Sequence, residues 1–394
     1  MSILSKNEAL DLLLSGAIAV SGMEKIETGR ALGRILGEDL VSAIDVPAFD
    51  NSAMDGFAIA VDDTQKLEIS QRIAAGDEPV PLKKGTAARI FTGAKIPEGA
   101  EAVVMQEDCL VEAGMVSIQK MPKVGANVRK KGEDVSCGSV FLEKGAKLRP
   151  QELALVASVG ISHVAVYRKL KVAIFFTGNE LVMPGKLLGP GMIYNSNRYG
   201  LTGLLESLNC EIVDLGIVPD DLDATVSMLD SARKEADLVM TCGGVSVGEE
   251  DHVKAAVEKI GSLSLWKVAV KPGKPFAFGD LSGTPFVGLP GNPVSAFLVF
   301  CVFARPFILR SQGARVCLPS GFPLKADFEW KGGKRLEWLR ARVSEDGRIV
   351  VHENQGSAVL SSLSWADGIV EIPVMKDVSK GDEVRFFPFS ELFS

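Results

Sequence analysis

The sequence predicts a multidomain protein of the α/β plus β class, organised around a central parallel-sheet α/β domain. Three observations carry this. Between Lys171 and Gly313, strand-like apolar runs alternate with helical patterns, which implies a parallel sheet with right-handed crossovers. From Pro47 to Phe141, and again after Gln312-Gly313, short strand-like runs are separated by turn signals. At 394 residues the chain exceeds one ordinary core, so two to four domains are expected. The expected division is 1–46 with 142–170 as an N-terminal helical or mixed domain, 47–141 as an inserted β-rich domain, 171–313 as the α/β domain, and 316–394 as a small β-barrel-like domain.

Ser5-Lys6-Asn7-Glu8 reads as a capping box opening a helix with Leu10, Leu13 and Leu14 as its apolar stripe and Gly16 at its end. A second helical pattern runs through Ala31, Leu32, Ile35 and Leu36, and Val46-Pro47 breaks it. The inserted β-rich part predicts strands around Phe57–Ala60, Ala88–Phe91, Ala102–Met105 and Met115–Ile118, with another at Glu68-Ile69. Pro150-Gln151-Glu152 opens a further helix. In the α/β part, strands are predicted at 172–176 and 212–215, and helices at 198–208, 223–234, 251–260 and 292–309. Short strands near 328–330, 336–340, 349–351 and 368–372 complete the chain.

Composition excludes several classes. A net charge of −7 argues against a nucleic-acid binder, while leaving room for a local basic site. The longest apolar run, Ala296 to Ala304, is shorter than the roughly 20 residues of a membrane span. The N-terminus has no apolar h-region, so no signal peptide is expected. Six scattered cysteines without a CxxC pair predict reduced thiols and a cytoplasmic protein. His163, His252 and His352 show no metal-ligand spacing.

The stretch Asp237 to Ser295 concentrates the chemistry. Its apolar runs 237–242, 266–270 and 285–289 each end in a glycine-rich polar turn, and ligands bind at the carboxyl ends of such strands. In the first turn, Gly243, Gly244 and Ser246 let the backbone approach an anion, although a turn needing only positive φ has the same composition. In the second, Lys271-Pro272-Gly273-Lys274-Pro275 holds two lysines three residues apart between prolines, an arrangement suited to an anion clamp. Asp50 to Gly56, Thr92-Gly93 and Gly132-Glu133-Asp134 read as ordinary turns on their chemistry alone. Asp55, Asp134, Glu180 and Asp251 are of the type that holds Mg2+, but spacing does not bring them together.

Taken together, the motifs resemble one family. Pro47-Ala48-Phe49-Asp50-Asn51-Ser52-Ala53-Met54-Asp55-Gly56-Phe57-Ala58 resembles the signature of the molybdopterin molybdenumtransferases, which include the bacterial MoeA-like enzymes and the gephyrin E domain. The likeness continues in order through Ile90–Ala94, Lys131–Val135, Thr177–Leu181, the three turns above and Asn354–Ser357. It makes the α/β domain molybdopterin-binding-like.

The resemblance implies a homodimer whose active site is shared between the α/β domain of one subunit and the β-rich region of the other. It implies insertion of molybdate into adenylylated molybdopterin with release of AMP, a divalent ion such as Mg2+, and a molybdopterin adenylyltransferase as pathway partner. Carried over by position, Ser246, Asp251, Lys271, Lys274, Ser295, Arg340 and Ser357 surround the oxyanion and the pterin. Asp55, Thr92, Asp134 and Glu180 complete the site, with Glu180 and Asp251 as candidate metal ligands. The lysines and arginine would bind the anionic substrates, and a metal-activated water would split the phosphoanhydride. Two departures stand out: Phe57 where tyrosine is frequent, and Asn179 where aspartate is frequent. Adenylylation of molybdopterin, a non-catalytic gephyrin-like scaffold, and tungstate in place of molybdate remain as alternatives.

Overall fold

The computed structural model describes residues 3–245, 252–316 and 318–393. Six strands form the sheet that positions the site: β1 (Lys171–Thr177), β2 (Glu211–Val218), β3 (Leu238–Cys242), β4 (Ser262–Lys267), β5 (Pro275–Leu281) and β6 (Thr284–Leu289). Their order is β2-β1-β3-β6-β5-β4. Four of them, β2, β1, β3 and β6, are parallel, as the alternation of strands and helices predicts. The edge differs from the expectation of an all-parallel sheet, because β5 runs antiparallel to both neighbours. The reason is local: Leu281 pairs with Thr284 across Ser282-Gly283, both at positive φ, which is the two-residue turn of a hairpin. Since β4 is antiparallel to β5, it points the same way as β6. The loop after it therefore stays at the carboxyl end of the sheet.

Both faces of this sheet are covered, which explains the unbroken apolar run Val172–Phe176. Val172, Ile174 and Phe176 face the helices Ser196–Ser207 and Pro293–Ser311 in one core. Ala173 and Phe175 face Leu222–Glu235 and His252–Ile260 in the other. Pro293–Ser311 is a single 19-residue helix, with a π-helical segment at Phe300–Ala304. By length and composition it could cross a membrane, but 83% of that window is buried inside the protein, so it is a core helix.

The helix Lys6–Gly16 forms with the capping box the sequence shows. Its Ala9, Leu10 and Leu13 pack into the α/β core, where Val20 and Ile35 join them. The helix expected through 31–36 is absent. A short 3-10 turn, Thr28–Arg30, precedes Gly33 at positive φ, and Ala31 and Leu36 instead fill a small core with Leu148, Val156 and Val164. The apolar spacing there imitates a helix. Strands Met23–Glu27 and His163–Tyr167 pair antiparallel beside the helix Pro150–Ser158, so this unit is mixed.

The inserted domain is a six-stranded sheet built from Gly56–Ile59, Lys66–Ile73, Thr86–Ile90, Ala102–Met105, Cys109–Glu112 and Met115–Ile118. The C-terminal sheet contains Phe322–Lys325, Leu336–Val343, Ile349–Val351, Gly368–Ile372 and Glu383–Pro388. Phe328–Trp330 is not the strand expected from its apolar residues; Trp330 makes one isolated bridge to Val378 and Phe328 is buried in the core of that domain. A two-residue strand, Val270–Lys271, leaves the α/β domain and pairs with Leu336–Glu337 of the C-terminal sheet. Trp338, Ile369 and Phe387 join the α/β core, so the two domains share packing.

Candidate active site

A cleft of about 680 Å3 opens at the carboxyl ends of β1, β3 and β6. Its wall is made of turns, because each parallel strand stops there and hands the chain to a helix. Thr177 and Gly178 come from the end of β1, Cys242, Gly243 and Gly244 from the end of β3, and Pro290, Gly291 and Asn292 from the end of β6. Ser196 and Asn197 open one helix at its edge and Pro293 opens another, so backbone N–H groups gather at this end.

The glycine pair is required by packing as well as by φ. Gly243 has φ +100° and Gly244 φ +65°. A Cβ on Gly243 would lie 2.5 Å from the Thr177 carbonyl oxygen, and one on Gly244 2.5 Å from Val253 Cγ2. Either Cβ would also lie 2.8 Å from Thr177 Oγ1. The turn therefore sits directly on the end of β1 with nothing between.

Of the residues singled out by sequence, Glu180, Gly243, Gly244 and Ser295 line this cleft. Ser246 and Asp251 lie outside the described residues. The two lysines of the 271–275 loop have different surroundings. Lys271 stands 3.4 Å from both carboxylate oxygens of Glu337, which is 4% exposed and also accepts from Trp330 Nε1. Lys274 is exposed and forms no ion pair among the described residues. The loop is closed by Val268 N–H donating to Lys274 O, and Gly273 at φ +103° lets it rest on Val299. Pro275 carries it to the cleft wall.

Arg340 is not among the residues that line the cleft. Its side chain is fully buried and donates to Ser362 Oγ (3.0 Å) and to the carbonyls of Gly356 (3.0 Å), Trp338 (3.4 Å) and Asn354 (3.5 Å). Burial lowers its pKa to about 10. Arg340 thus supports the loop 354–357. That loop reaches the site: Val294 N–H donates to Ser357 O, and Ala358 lines the cleft.

Asp55 and Thr92 meet each other but not the cleft. Thr92 N–H and Oγ1 both donate to Asp55 Oδ1 at 2.8 Å, and these bonds hold the Asp55 carboxyl below its ordinary pKa. The segment around them is clasped by pairing of Asn51 and Ser52 with Arg129 and Val128, and by Lys130 and Lys131 on Asp50. Asp134 is exposed in the adjoining loop, tied by its N–H to Val46 O.

Sequence reasoning missed several groups in the cleft. Asp220 lines it, its carboxylate accepting from Asn179 N–H at 3.0 Å, while Asn179 Oδ1 accepts from Asp220 N–H. A neutral Asn179 thus sits beside this carboxylate without repulsion. Asn195 Oδ1 caps the helix Ser196–Ser207, while its Nδ2 is buried without a partner among the described residues, as is Thr177 Oγ1. Both residues line the cleft. The signals were present: Asp220 follows the end of β2, and Asn195-Ser196-Asn197 is a capping sequence. Cys242 Sγ donates to Pro290 O and accepts from Asn197 Nδ2; burial raises its pKa to about 12, so it is a packing thiol.

These features define a class: a multidomain α/β protein with a polar, glycine-rich cleft at the carboxyl end of its sheet. Residues 4–160 match the MoeA N-terminal region (domain I and II), 173–310 a probable molybdopterin binding domain, and 323–389 the MoeA C-terminal region (domain IV). The chain is 43% identical over 383 residues to the molybdopterin molybdenumtransferase of Haemophilus influenzae, covering 94% of each chain. It is 35% identical to molybdopterin molybdenumtransferase 2 of Mycobacterium tuberculosis, covering 90% of this chain and 92% of that one. The crystal structure of the molybdopterin biosynthesis moeA protein from Pyrococcus horikoshii OT3 superposes with a TM-score of 0.84 at 30% identity, over 98% of this chain and 100% of that one. The protein belongs to the molybdopterin molybdenumtransferase family.

Proposed function

We propose that this protein inserts molybdenum from molybdate into adenylylated molybdopterin and releases AMP. The observation that supports this most is the cleft, where glycine backbone, helix N-termini and two partnerless buried polar groups face a space suited to a phosphorylated ligand. The phosphate-bearing end of the substrate lies along Gly243-Gly244, where no side chain keeps it from the backbone. Ser295 and Asn195 act as donors to the bound oxygens. Lys274 supplies an exposed positive charge for the dianionic molybdate. Cleaving the phosphoanhydride calls for donors fixed around the phosphate before the reaction starts, and a packed strand end provides them.

The donor set also fits Mg2+. Among the described residues no three His, Cys, Asp or Glu side chains gather as a metal cage. Glu180 and Asp220 nevertheless present carboxylates to the cleft, and Mg2+ is ordinarily held by one or two carboxylates together with substrate phosphates. When bound, Mg2+ would neutralise charge on those phosphates.

The same reading has the protein act as a homodimer, with Asp55, Thr92 and Asp134 of the inserted domain completing the cleft of the opposite subunit. The placement of Asp55 and Thr92 away from the lining of the cleft in their own chain supports it. A molybdopterin adenylyltransferase would supply the substrate. The five cysteines among the described residues are free, which fits a reducing, cytoplasmic setting.

The test is to give the purified protein adenylylated molybdopterin, molybdate and Mg2+. Molybdate-dependent AMP release, reduced by Lys274→Ala, supports the reading; absence of molybdate-dependent release contradicts it.

A further inference from the structure

The inserted domain carries a cationic platform that lies outside the lining of the cleft in its own chain. Arg72 and Arg89 are register partners on the neighbouring parallel strands Lys66–Ile73 and Thr86–Ile90, and Phe57 is the partner of Arg89 on its other side. Register partners project to one face, so the two guanidinium groups stand side by side. Both lie over the ring of Phe91, Arg72 at 4.5 Å and Arg89 at 4.7 Å from its centroid, and Arg89 lies 5.1 Å from that of Phe57. Arg89 is further fixed by donating to Gly56 O (3.1 Å) and Gln106 Oε1 (2.7 Å).

Among the described residues neither arginine forms a salt bridge, and Arg72, which is exposed, makes no hydrogen bond. Like charges placed opposite each other on a sheet repel. Arg89 acts at a distance on the Asp55 carboxylate and helps to lower its pKa, but neither guanidinium is paired with a carboxylate, and in a chain of net charge −7 a bound anion would offset their repulsion. Stacking on an aromatic ring holds both guanidinium groups in place, and the N–H edge of Arg72 is free of protein acceptors among the described residues, the geometry that suits phosphate. The platform adjoins the signature residues, since Phe91 precedes Thr92, whose hydroxyl is held by Asp55.

We propose that Arg72 and Arg89, stacked on Phe91, bind the adenylyl phosphate of the substrate and the AMP that leaves. This rests on the function proposed above, and makes the inserted domain the wall that holds the nucleotide.

The full-length protein is titrated calorimetrically with AMP, inorganic phosphate and adenosine. The expected result is that AMP binds, that adenosine binds at least tenfold more weakly, and that Arg72→Gln weakens AMP at least tenfold with an unchanged thermal midpoint. Arg72→Lys, which keeps the charge but loses the planar fork, falls in between. AMP binding that is absent from the wild type, equalled by adenosine, or unchanged in Arg72→Gln overturns the proposal. The two readings fail separately. If AMP release depends on molybdate but its KM for adenylylated molybdopterin is the same in Arg72→Gln, the platform is refuted and the function stands. If no molybdate-dependent release occurs, the function fails while the AMP titration still decides the platform.

Discussion

The α/β cleft and the Asp55–Thr92 surface are held in place by different means. The cleft stands on a sheet covered on both faces, and its key groups are set by close packing. Ser295 is 4% exposed, Thr177 is 7% exposed, and Gly244 has no room for a methyl group. The inserted-domain surface is held by hydrogen bonds between loops, with Asp55 partly exposed and Thr92 exposed. Changes in the cleft should therefore act on folding and activity together. Changes at the inserted surface should act on charge and binding, with the fold intact.

The largest effect should come from Gly244→Val. Its Cβ would meet Val253 and Thr177 at a backbone angle that disfavours any β-branched residue. We expect a loss of about 2 kcal/mol or more in a denaturant titration and no measurable AMP release. Arg340→Met should follow, because it leaves the Gly356 carbonyl and its neighbours without their donor. Its expected cost is about 1.5 kcal/mol if the loop cannot move, and less if the carbonyls turn to water. A melt that is unchanged would show that Arg340 does not support the loop.

The two lysines divide the comparison within one loop. Lys271→Ala removes the cation beside buried Glu337 and should lower stability by about 1 kcal/mol, since Lys271 is itself half exposed. Lys274→Ala should leave the melt unchanged and raise the KM for substrate about tenfold. Equal melts for both variants would erase the distinction. The smallest effect concerns pH. Thr92 holds the Asp55 carboxyl below 3.8, so the stability this group contributes is full above pH 3.8 and is lost as pH falls through its folded pKa. Thr92→Val keeps the backbone donor and removes the hydroxyl. The Asp55 titration, followed by carboxyl NMR, should then move part of the way back towards 3.8.

Much of the architecture could be read from the chain because its cues are local. The Ser5–Glu8 capping box, Pro150 at the start of a helix, and the unbroken Val172–Phe176 run each formed the element they announce. Misreadings arose where tertiary packing decides. Ala31, Leu32, Ile35 and Leu36 have helical spacing, but Ala31 and Leu36 answer to a core supplied by residues more than a hundred positions away, Ile35 joins the α/β core, and Leu32 is exposed. The β5–β6 hairpin was signalled by Ser282-Gly283, yet the apolar strands around it imitate a parallel pair. Family likeness located the polar residues, while their surroundings come only from the structure. Burial of Arg340 and the Lys271–Glu337 pair depend on the C-terminal sheet docking against the α/β domain, which no local pattern encodes. Asp220 and Asn195 escaped notice because a capping residue and an acidic turn are ordinary features until a cleft forms between them.

The central claim is that one subunit's cleft is completed by the other subunit's Asp55 surface. Subunits carrying Asp55→Asn can be co-expressed with subunits carrying Lys274→Ala and Gly244→Val, and the mixed dimer purified by two tags. If the site is shared, one of its two clefts is wholly wild type, and molybdate-dependent AMP release should return to about half the wild-type rate per dimer. If each site lies within one chain, both sites of the mixed dimer are damaged, and the rate should stay no higher than the mean of the two parent variants.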